Sequence, residues 1–370
     1  MKGSFMIHKK APLLVLVLLF AQTIAYCAAA KTKIFVVSSY NREYSWSQKT
    51  NEGLCAAMLK YGYLDNQQQV DEYTKNDTVE SSKAIIKKEW MDTKRHNTKE
   101  EKVAATTKIM ADLNAFKPDI VFLGDDNATN YIGNKLLDTE TPVVFWGVDG
   151  LPVKYGLVDR MSQPGHNVTG VWQSGYYKES VELLHKLAPS AKTFAILAGN
   201  SETATAKAKQ VQALANQGAL PLKLVDTVTT DSFTEFKNRA LELDKKVDAF
   251  VIVNHDTLKD DNGKHVEAME VGRWYLENIK KPDAAPEEQF IKEGVLAAAD
   301  DSGYKQGYMA FEMGKSILEN GTLPGMMTPR APTRGELLVN SDRAKELGIS
   351  LEEHKDAYER VIEGMAAKKS

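Results

Sequence analysis

The feature that most constrains this chain is a set of short, almost unbroken apolar runs separated by segments of helical periodicity. The runs are KIFVVSSY (33–40), DIVFLGDD (119–126), PVVFWGVD (142–149), KTFAILAGN (192–200), LPLKLVDTV (220–228) and VDAFVIVNHD (247–256). A strand with one wet face alternates apolar and polar residues. A nearly continuous apolar strand needs cover on both faces, as in a parallel sheet between helices. Helices are predicted over Trp46–Tyr61, Lys99–Phe116 and Tyr177–Leu187, the last carrying Val181, Leu184 and Leu187 on one stripe. Further helices are expected at 202–217, 231–244, 265–279, 303–320 and 351–366. Strand–helix alternation of this kind predicts doubly wound α/β architecture.

Between residues 64 and 98 the pattern weakens. DNQQQVDEYTKNDTVESSK (65–83) reads as a polar surface excursion, followed by a strand through Ile85–Met91. QPGHNVTG (163–170) reads as a turn and connector between two groups of strands, and the Pro/Gly-rich NGTLPGMMTPRAPTRG (320–335) as a second connector. The expected organisation is a leader at 1–30, one lobe from 31–168 plus 294–325, and a second from 169–293 plus 326–370.

The leader has Lys2, Lys9 and Lys10, then APLLVLVLLFAQTIAY, then CAAA before Lys31. A positive start, an apolar core and small residues make the layout of a cleaved secretory signal, with the cut after Ala30. A retained anchor is the competing reading, but the apolar run is short for a span. Cys27 raises lipid attachment, which Tyr26 before it disfavours. Removing 1–30 leaves 44 basic and 50 acidic residues, a formal charge of -6 against -3 for the whole chain. That balance carries no electrostatic footprint for nucleic acid. The expected mature protein is soluble, periplasmic or otherwise extracytoplasmic, and monomeric. It keeps one cysteine, Cys55, on the apolar face of a helix.

Four runs end in small polar residues: SSYNREYSW (38–46), GDDNAT (124–129), GNSETAT (199–205) and NHDT (254–257). In open parallel sheets, ligands bind outside the carboxyl ends of the strands, where helix N-termini offer free N–H groups. Asn127, Ser201 and Thr257 could each serve only as helix caps. The first loop adds Tyr40, Tyr44 and Trp46 to Ser39, Asn41 and Arg42, more aromatic surface than a polar turn requires. Trp146 and Gly147 sit at another strand end. The candidate ligand-binding residues are therefore Ser39, Tyr40, Asn41, Trp46, Asp125, Asp126, Asn127, Trp146 and Gly147 from the first half. From the second half they are Tyr176, Asn200, Ser201, Glu202, Thr203, Asn254, His255, Asp256 and Asp300.

Signatures of catalysis fail on inspection. GKS at 314–316 lacks the glycine a phosphate loop needs at 309, which is Met309. DDNGKH (260–265), aligned as a calcium loop on Gly263, puts Leu258 and Met269 where anchoring acids belong. No dinucleotide fingerprint, CxxC pair, HExxH or GxSxG occurs. Neither cofactor nor metal is expected, and a secreted hydrolase is the disfavoured third class.

The segment QPGHNVTGVWQSGYYKESVELLHKLAPSAKTFAILAGNSE (163–202) resembles the central part of bacterial ABC transporter substrate-binding proteins of the tryptophan/tyrosine-binding type. GVLAAADDSGYKQGYMAFEMGKSILENGTLPG and LLVNSDRAKELGIS resemble that family's closing segments. SSYNREYSW, EWMDTKR and DDNA followed by PVVFWGVD are similar to a subgroup that also occurs as extracytoplasmic sensory domains. His166 stands where the family commonly has a second glycine. The resemblance implies a two-lobed periplasmic binding fold of the first type, no catalysis, and capture of a small organic solute such as an amino acid for delivery to a membrane permease. Its subgroup leaves open a ligand-sensing receptor for a separate membrane protein such as a histidine kinase. If the solute is an amino acid, its carboxylate is expected near Ser39 and Ser201–Thr203. Its ammonium is expected at Asp126, Asp256 or Asp300.

Overall fold

Two sheets, each covered on both faces by helices, organise the chain. The computed structural model describes residues 30–365 together with residues 1 and 3, so the predicted leader with Cys27 lies outside the described residues, apart from Met1, Gly3 and Ala30. The first sheet contains β1 (Thr32–Ser38), β2 (Thr78–Glu80), β3 (Ala84–Trp90), β4 (Ile120–Gly124), β5 (Val143–Asp149) and β6 (Val168–Gln173). Its order is β2-β3-β1-β4-β5-β6, parallel except for the edge pair β2–β3. The second contains β7 (Thr193–Ala198), β8 (Lys223–Thr229), β9 (Ala249–Ile252), β10 (Asp283–Ala285), β11 (Ala297–Ala299), β12 (Leu337–Asn340) and β13 (Arg360–Ile362). Its order is β13-β12-β11-β10-β9-β7-β8, with β11–β12 the antiparallel pair.

The continuous apolar runs are explained by two-sided burial. Along β1, Ile34 and Val36 enter one core while Phe35 and Val37 enter the opposite one. β4 repeats this with Ile120 and Phe122 against Val121 and Leu123. In the second sheet Phe194 and Ile196 face one way, and Ala195 and Leu197 the other. Each fully buried side chain of this size contributes on the order of 1.5–3 kcal/mol. The edge strand β8 is mostly half-buried or exposed, as an edge position allows.

The helices are α1 (Ser45–Lys60), α2 (Gln67–Asn76), α3 (Lys99–Phe116), α4 (Asp125–Tyr131), α5 (Gly133–Leu136), α6 (Tyr177–Leu187), α7 (Glu202–Asn216), α8 (Phe233–Asp244), α9 (Ala268–Asn278), α10 (Glu288–Lys292), α11 (Gly303–Asn320) and α12 (Ser341–Glu346). α3 starts on a reciprocal cap: Thr98 accepts from the Glu101 N–H, and Glu101 accepts from the Thr98 N–H. Each principal βα unit so returns the chain to the same sheet edge, where the polar strand-end loops gather.

Three expectations are corrected. The polar excursion contains α2, capped by Asn66 and anchored by buried Tyr73; Val70 and Tyr73 alone gave its apolar spacing. QPGHNVTG is a turn only as far as Asn167, since Val168–Gln173 pairs with β5 and the chain leaves the first sheet after Gln173. β11 likewise pairs within the second sheet, so the crossings fall later than 168 and 294. Residues 351–366 form a short 3-10 turn, Glu352–His354, and then β13 rather than a helix. Glu359 fixes that extended course by accepting from Arg334 and from the Leu337 N–H. Residue 366 lies outside the described residues.

α1 and α11 pack backbone to backbone. A Cβ on Gly53 would stand 1.9 Å from the Tyr304 carbonyl oxygen, and one on Gly307 2.0 Å from that of Thr50. Gly314, from the failed phosphate-loop pattern, faces the Phe122 ring, where a Cβ would lie at 2.3 Å. Gly307→Ala is expected to lower unfolding stability by about 1–3 kcal/mol through overpacking. An unchanged urea midpoint would show that the two helices can separate freely.

Candidate functional site

The loops after β1, β3, β4 and β5 meet those after β7, β9 and β10. Lys94, in the turn after β3, carries the closest charged contact between loops of the two sheets: its Nζ lies 2.7 Å from Asp256 Oδ2, and both side chains are less than a tenth exposed. Burial alone would raise the Asp256 carboxyl. Lys94, with Tyr44 and Asn254, instead holds it below the usual carboxylate range. The Tyr44 hydroxyl donates to Asp256 and accepts from Asn254 Nδ2 at 3.3 Å and Gln289 Nε2 at 2.9 Å. Tyr40 Oη lies 3.3 Å from Thr203 Oγ1. The two tyrosine rings meet edge to face at 5.3 Å, and the Lys94 ammonium stands 4.1 Å over Tyr40.

A second charged group lies deeper. Lys207 on α7 is 2% exposed, pairs with Glu287 and lies 3.6 Å from Asp149 Oδ1. Burial opposes its charge, but Asp149 and Glu287 hold its pKa well above the ordinary lysine value. Burial drives the Asp149 carboxyl upward, with Lys207 pulling against it. Asp126 accepts from Tyr155 at 2.7 Å and from the Asp149 N–H at 3.3 Å, and pairs with Lys154 at 2.8 Å. Asp125 begins α4 at φ +66°, a strained setting for a non-glycine residue. It accepts from Trp46 Nε1 at 2.7 Å. A Cβ on Gly147, itself at φ +68°, would come within 2.4 Å of Asp125 Oδ1, so glycine makes room for the carboxylate.

The fold itself uses several of the sequence candidates. Ser39 Oγ donates to the Gly124 carbonyl and accepts from the Ala128 N–H, tying β1 to β4 and α4, which leaves it no free donor for a solute carboxylate. Ser201 caps α7 by accepting from the Ala204 N–H, and Glu202 lies in that helix's first turn. Trp146 is core, its ring filling the space a Gly124 side chain would need. His255 lies between Phe236 and Phe290, 3.2 Å from Glu293. The Tyr176 hydroxyl donates to the Pro332 carbonyl at a chain crossing. The exposed Asn200 gives its N–H to Asp231. Asn41 donates to Glu43, and Asn127 donates to Thr93 Oγ1.

Tyr40, Trp46, Asp125, Asp126, Thr203, Asn254 and Asp256 do come together. Three cavities border their contact. One of about 870 Å³ is lined by Trp46, Glu287, Gln289 and Asp300. One of about 310 Å³ includes Asn41, Tyr44, Lys94 and Asp256. One of about 160 Å³ includes Tyr40, Asn127, Asn200, Glu202 and Thr203. Asp300 lines the first, and burial pushes its carboxyl up to about 6. Asp301 instead accepts from the Gly175 N–H and faces Gln306 at the crossing.

Sequence reasoning did not select Lys94, Lys207, Asp149, Glu287 or Gln289 as site residues. Lys207 lies four residues after Thr203, hence on the same face of α7, which is the signal that could have found it. Lys94 follows a strand end, as the selected loops do.

Burial pushes the Asp125 carboxyl up to about 8, Trp46 pulling against it. A folded-state value above the ordinary carboxylate range means that the folded protein binds one more proton than the unfolded chain between about pH 4 and 8. Asp125 therefore favours folding at low pH and loses that contribution as pH rises through about 8. Asp125→Asn keeps an acceptor for Trp46. It should flatten this dependence by up to about 1.4 kcal/mol per pH unit, measured by urea unfolding at pH 5 and 8. Parallel profiles for both proteins would refute the assignment.

Comparison with known proteins bears on this geometry. The family model described as ABC transporter substrate binding protein matches residues 76–359. A curated relative, the tyrosine-binding protein of Clostridioides difficile, is 25% identical over 210 residues, 57% of this chain, and the match spans 58% of the relative's length. Among solved structures, an ABC domain in complex with L-Trp from Streptococcus pneumoniae superposes with a TM-score of 0.68 at 20% identity. That superposition covers 90% of this chain and all of the other. A ligand-free, open substrate binding protein with adhesive properties from Clostridium difficile gives 0.63 at 22% identity over the same shares. These structures share the two-lobed periplasmic binding architecture, with mostly parallel strands flanked by helices in each lobe. The chain belongs to the ABC transporter substrate binding protein family, whose members bind solutes rather than transform them.

Proposed function

We propose that the interlobe cleft takes a small organic solute bearing a protonated amine, an amino acid or related compound. We further propose that the protein, working as a monomer outside the cytoplasm after export by its leader, hands this solute to the permease of an ABC transporter. The observation that carries the solute class is a set of buried oxygens without a hydrogen-bond partner around the lobe contact: Asp125 Oδ2, Asp149 Oδ1, Asn254 Oδ1, Asp256 Oδ1 and Gln289 Oε1. All are acceptors. Leaving such a group unmet costs about 1–3 kcal/mol, so a guest rich in N–H donors stabilises the closed form. Acids also outnumber bases: Asp125, Asp126, Asp149, Asp256 and Glu287 face Lys94, Lys154 and Lys207.

Tyr40, Tyr44 and Trp46 supply aromatic surface beside these acceptors. The Tyr44 hydroxyl donates to Asp256 and accepts from the amide nitrogens of Asn254 and Gln289, so a ligand ammonium would compete with it for the Asp256 carboxylate. Closure then follows from differential affinity, because only the closed form presents acceptors from both lobes at once. The tyrosine and tryptophan ligands of the relatives suit this combination of acids and rings.

Titration calorimetry should detect binding of L-tryptophan, L-tyrosine or another amino acid. The deaminated analogue indole-3-propionate should not reproduce tryptophan binding. Asp256→Asn should weaken the bound amino acid about tenfold or more, the scale of one charge-assisted hydrogen bond. Equal affinity for the deaminated analogue, or silence toward every amine-bearing solute, would refute the proposal.

A further inference from the structure

A fourth cavity, of about 490 Å³, lies wholly within the first lobe, between α1, α2 and the end of β3. Its walls come from the segment before and around residue 76, where the family match begins, and it shares no strand-end acid with the cleft. Leu59, Val70, Cys55 and Ala56 make an apolar side. Facing them are three buried polar atoms without a partner: Ser47 Oγ, Tyr73 Oη and Trp90 Nε1. Ser47 is fully buried and Tyr73 is 1% exposed. All three groups can donate a hydrogen bond, and the indole can only donate.

Behind them is Lys88, 3% exposed. Its ammonium donates to Asn51 Oδ1 at 3.0 Å and stands 3.9 Å over the Trp90 ring; both residues line the cavity. Among the described residues, no carboxylate lies within 4.0 Å of it to form an ion pair. Burial accordingly pulls its pKa down to about 8. An ammonium has three donors, and a buried one without a counter-ion is costly. The nearby Arg42 is already paired with Asp77. The other carboxylate of the lining, Glu52, is paired with Lys49, so the unpartnered groups here are donors and a cation where those of the cleft are mostly acceptors.

We propose that this cavity is a second ligand site, for a small carboxylate with an apolar body, lined by Trp90, Tyr73 and Ser47, with the Lys88 charge directly behind Asn51 and Trp90, and independent of the interlobe solute. The half-exposed mouth on α1 and α2 gives entry without lobe opening, and the apolar wall accepts the hydrocarbon end.

Benzoate is the probe. Calorimetry on the purified protein should give one site with Kd below about 10 mM, an affinity reachable by a fragment of this size. Lys88→Met should weaken it about tenfold or more by removing the buried positive charge behind the cavity wall. Ala56→Trp, which fills the cavity from a partly exposed position without touching the core, should abolish it. Asp256→Asn in the cleft should leave it unchanged, which separates failure of this site from failure of the interlobe reading. Absence of benzoate binding, binding that survives Ala56→Trp, or equal binding of neutral benzamide would overturn the proposal. Far-ultraviolet circular dichroism would confirm that each variant is folded, and Ala56→Trp carries the test if Lys88→Met is not.

Discussion

The ion pair between Lys94 and Asp256 joins side chains from two different sheets, and the arrangement of the cleft depends on it. Charges so deeply enclosed are costly to desolvate and are sustained only where their remaining hydrogen-bonding capacity is met. Here Tyr44 and Asn254 meet one carboxylate oxygen, and the other is buried without a partner. Lys207 forms the reverse arrangement one layer deeper, facing Asp149 across the boundary and pairing with Glu287 of its own lobe. Each lobe therefore contributes one sign of charge to at least one pair across the boundary, and the lobes are complementary before any solute arrives.

This explains why the strand-end loops could not be ordinary caps throughout. Ser201 and Ser39 are spent on the backbone, but Asp125 and Asp126, at the first turn of a short helix, are turned toward partners from other elements. The strained φ of Asp125 and the glycine at 147 are local costs accepted for that orientation.

The long strands were legible because two-sided burial leaves no polar positions to blur them, and α3 and α6 were legible to the residue from periodicity. The strands β10 and β11 escaped notice because DAA and AAA carry no β-branched signal; their neighbours in the sheet decide their state. Residues 360–362 are extended for the same reason, against a helical composition. In the site, polar strand ends located the right neighbourhood. They could not show which hydroxyls the backbone had already claimed, nor that a lysine in mid-helix would be drawn inside by two acids from other elements.

The close seating of α11 on α1 has a mechanical consequence. α11 rides with the first lobe, yet the strands on either side of it, β11 and β12, belong to the second. With carbonyls pressed against Cα atoms, that helix cannot slide on its partner to absorb a rotation of the lobes. Pivoting must then be taken up in the tethers at 300–302 and 331–336, with the strand exit at 174–176, because residues 325–330 are bonded to β6 and the turn before it. The second holds Pro332, whose carbonyl pins the third through the Tyr176 hydroxyl. The protein so behaves as two plates on a three-cord hinge, one cord wound around a strut that never leaves its plate.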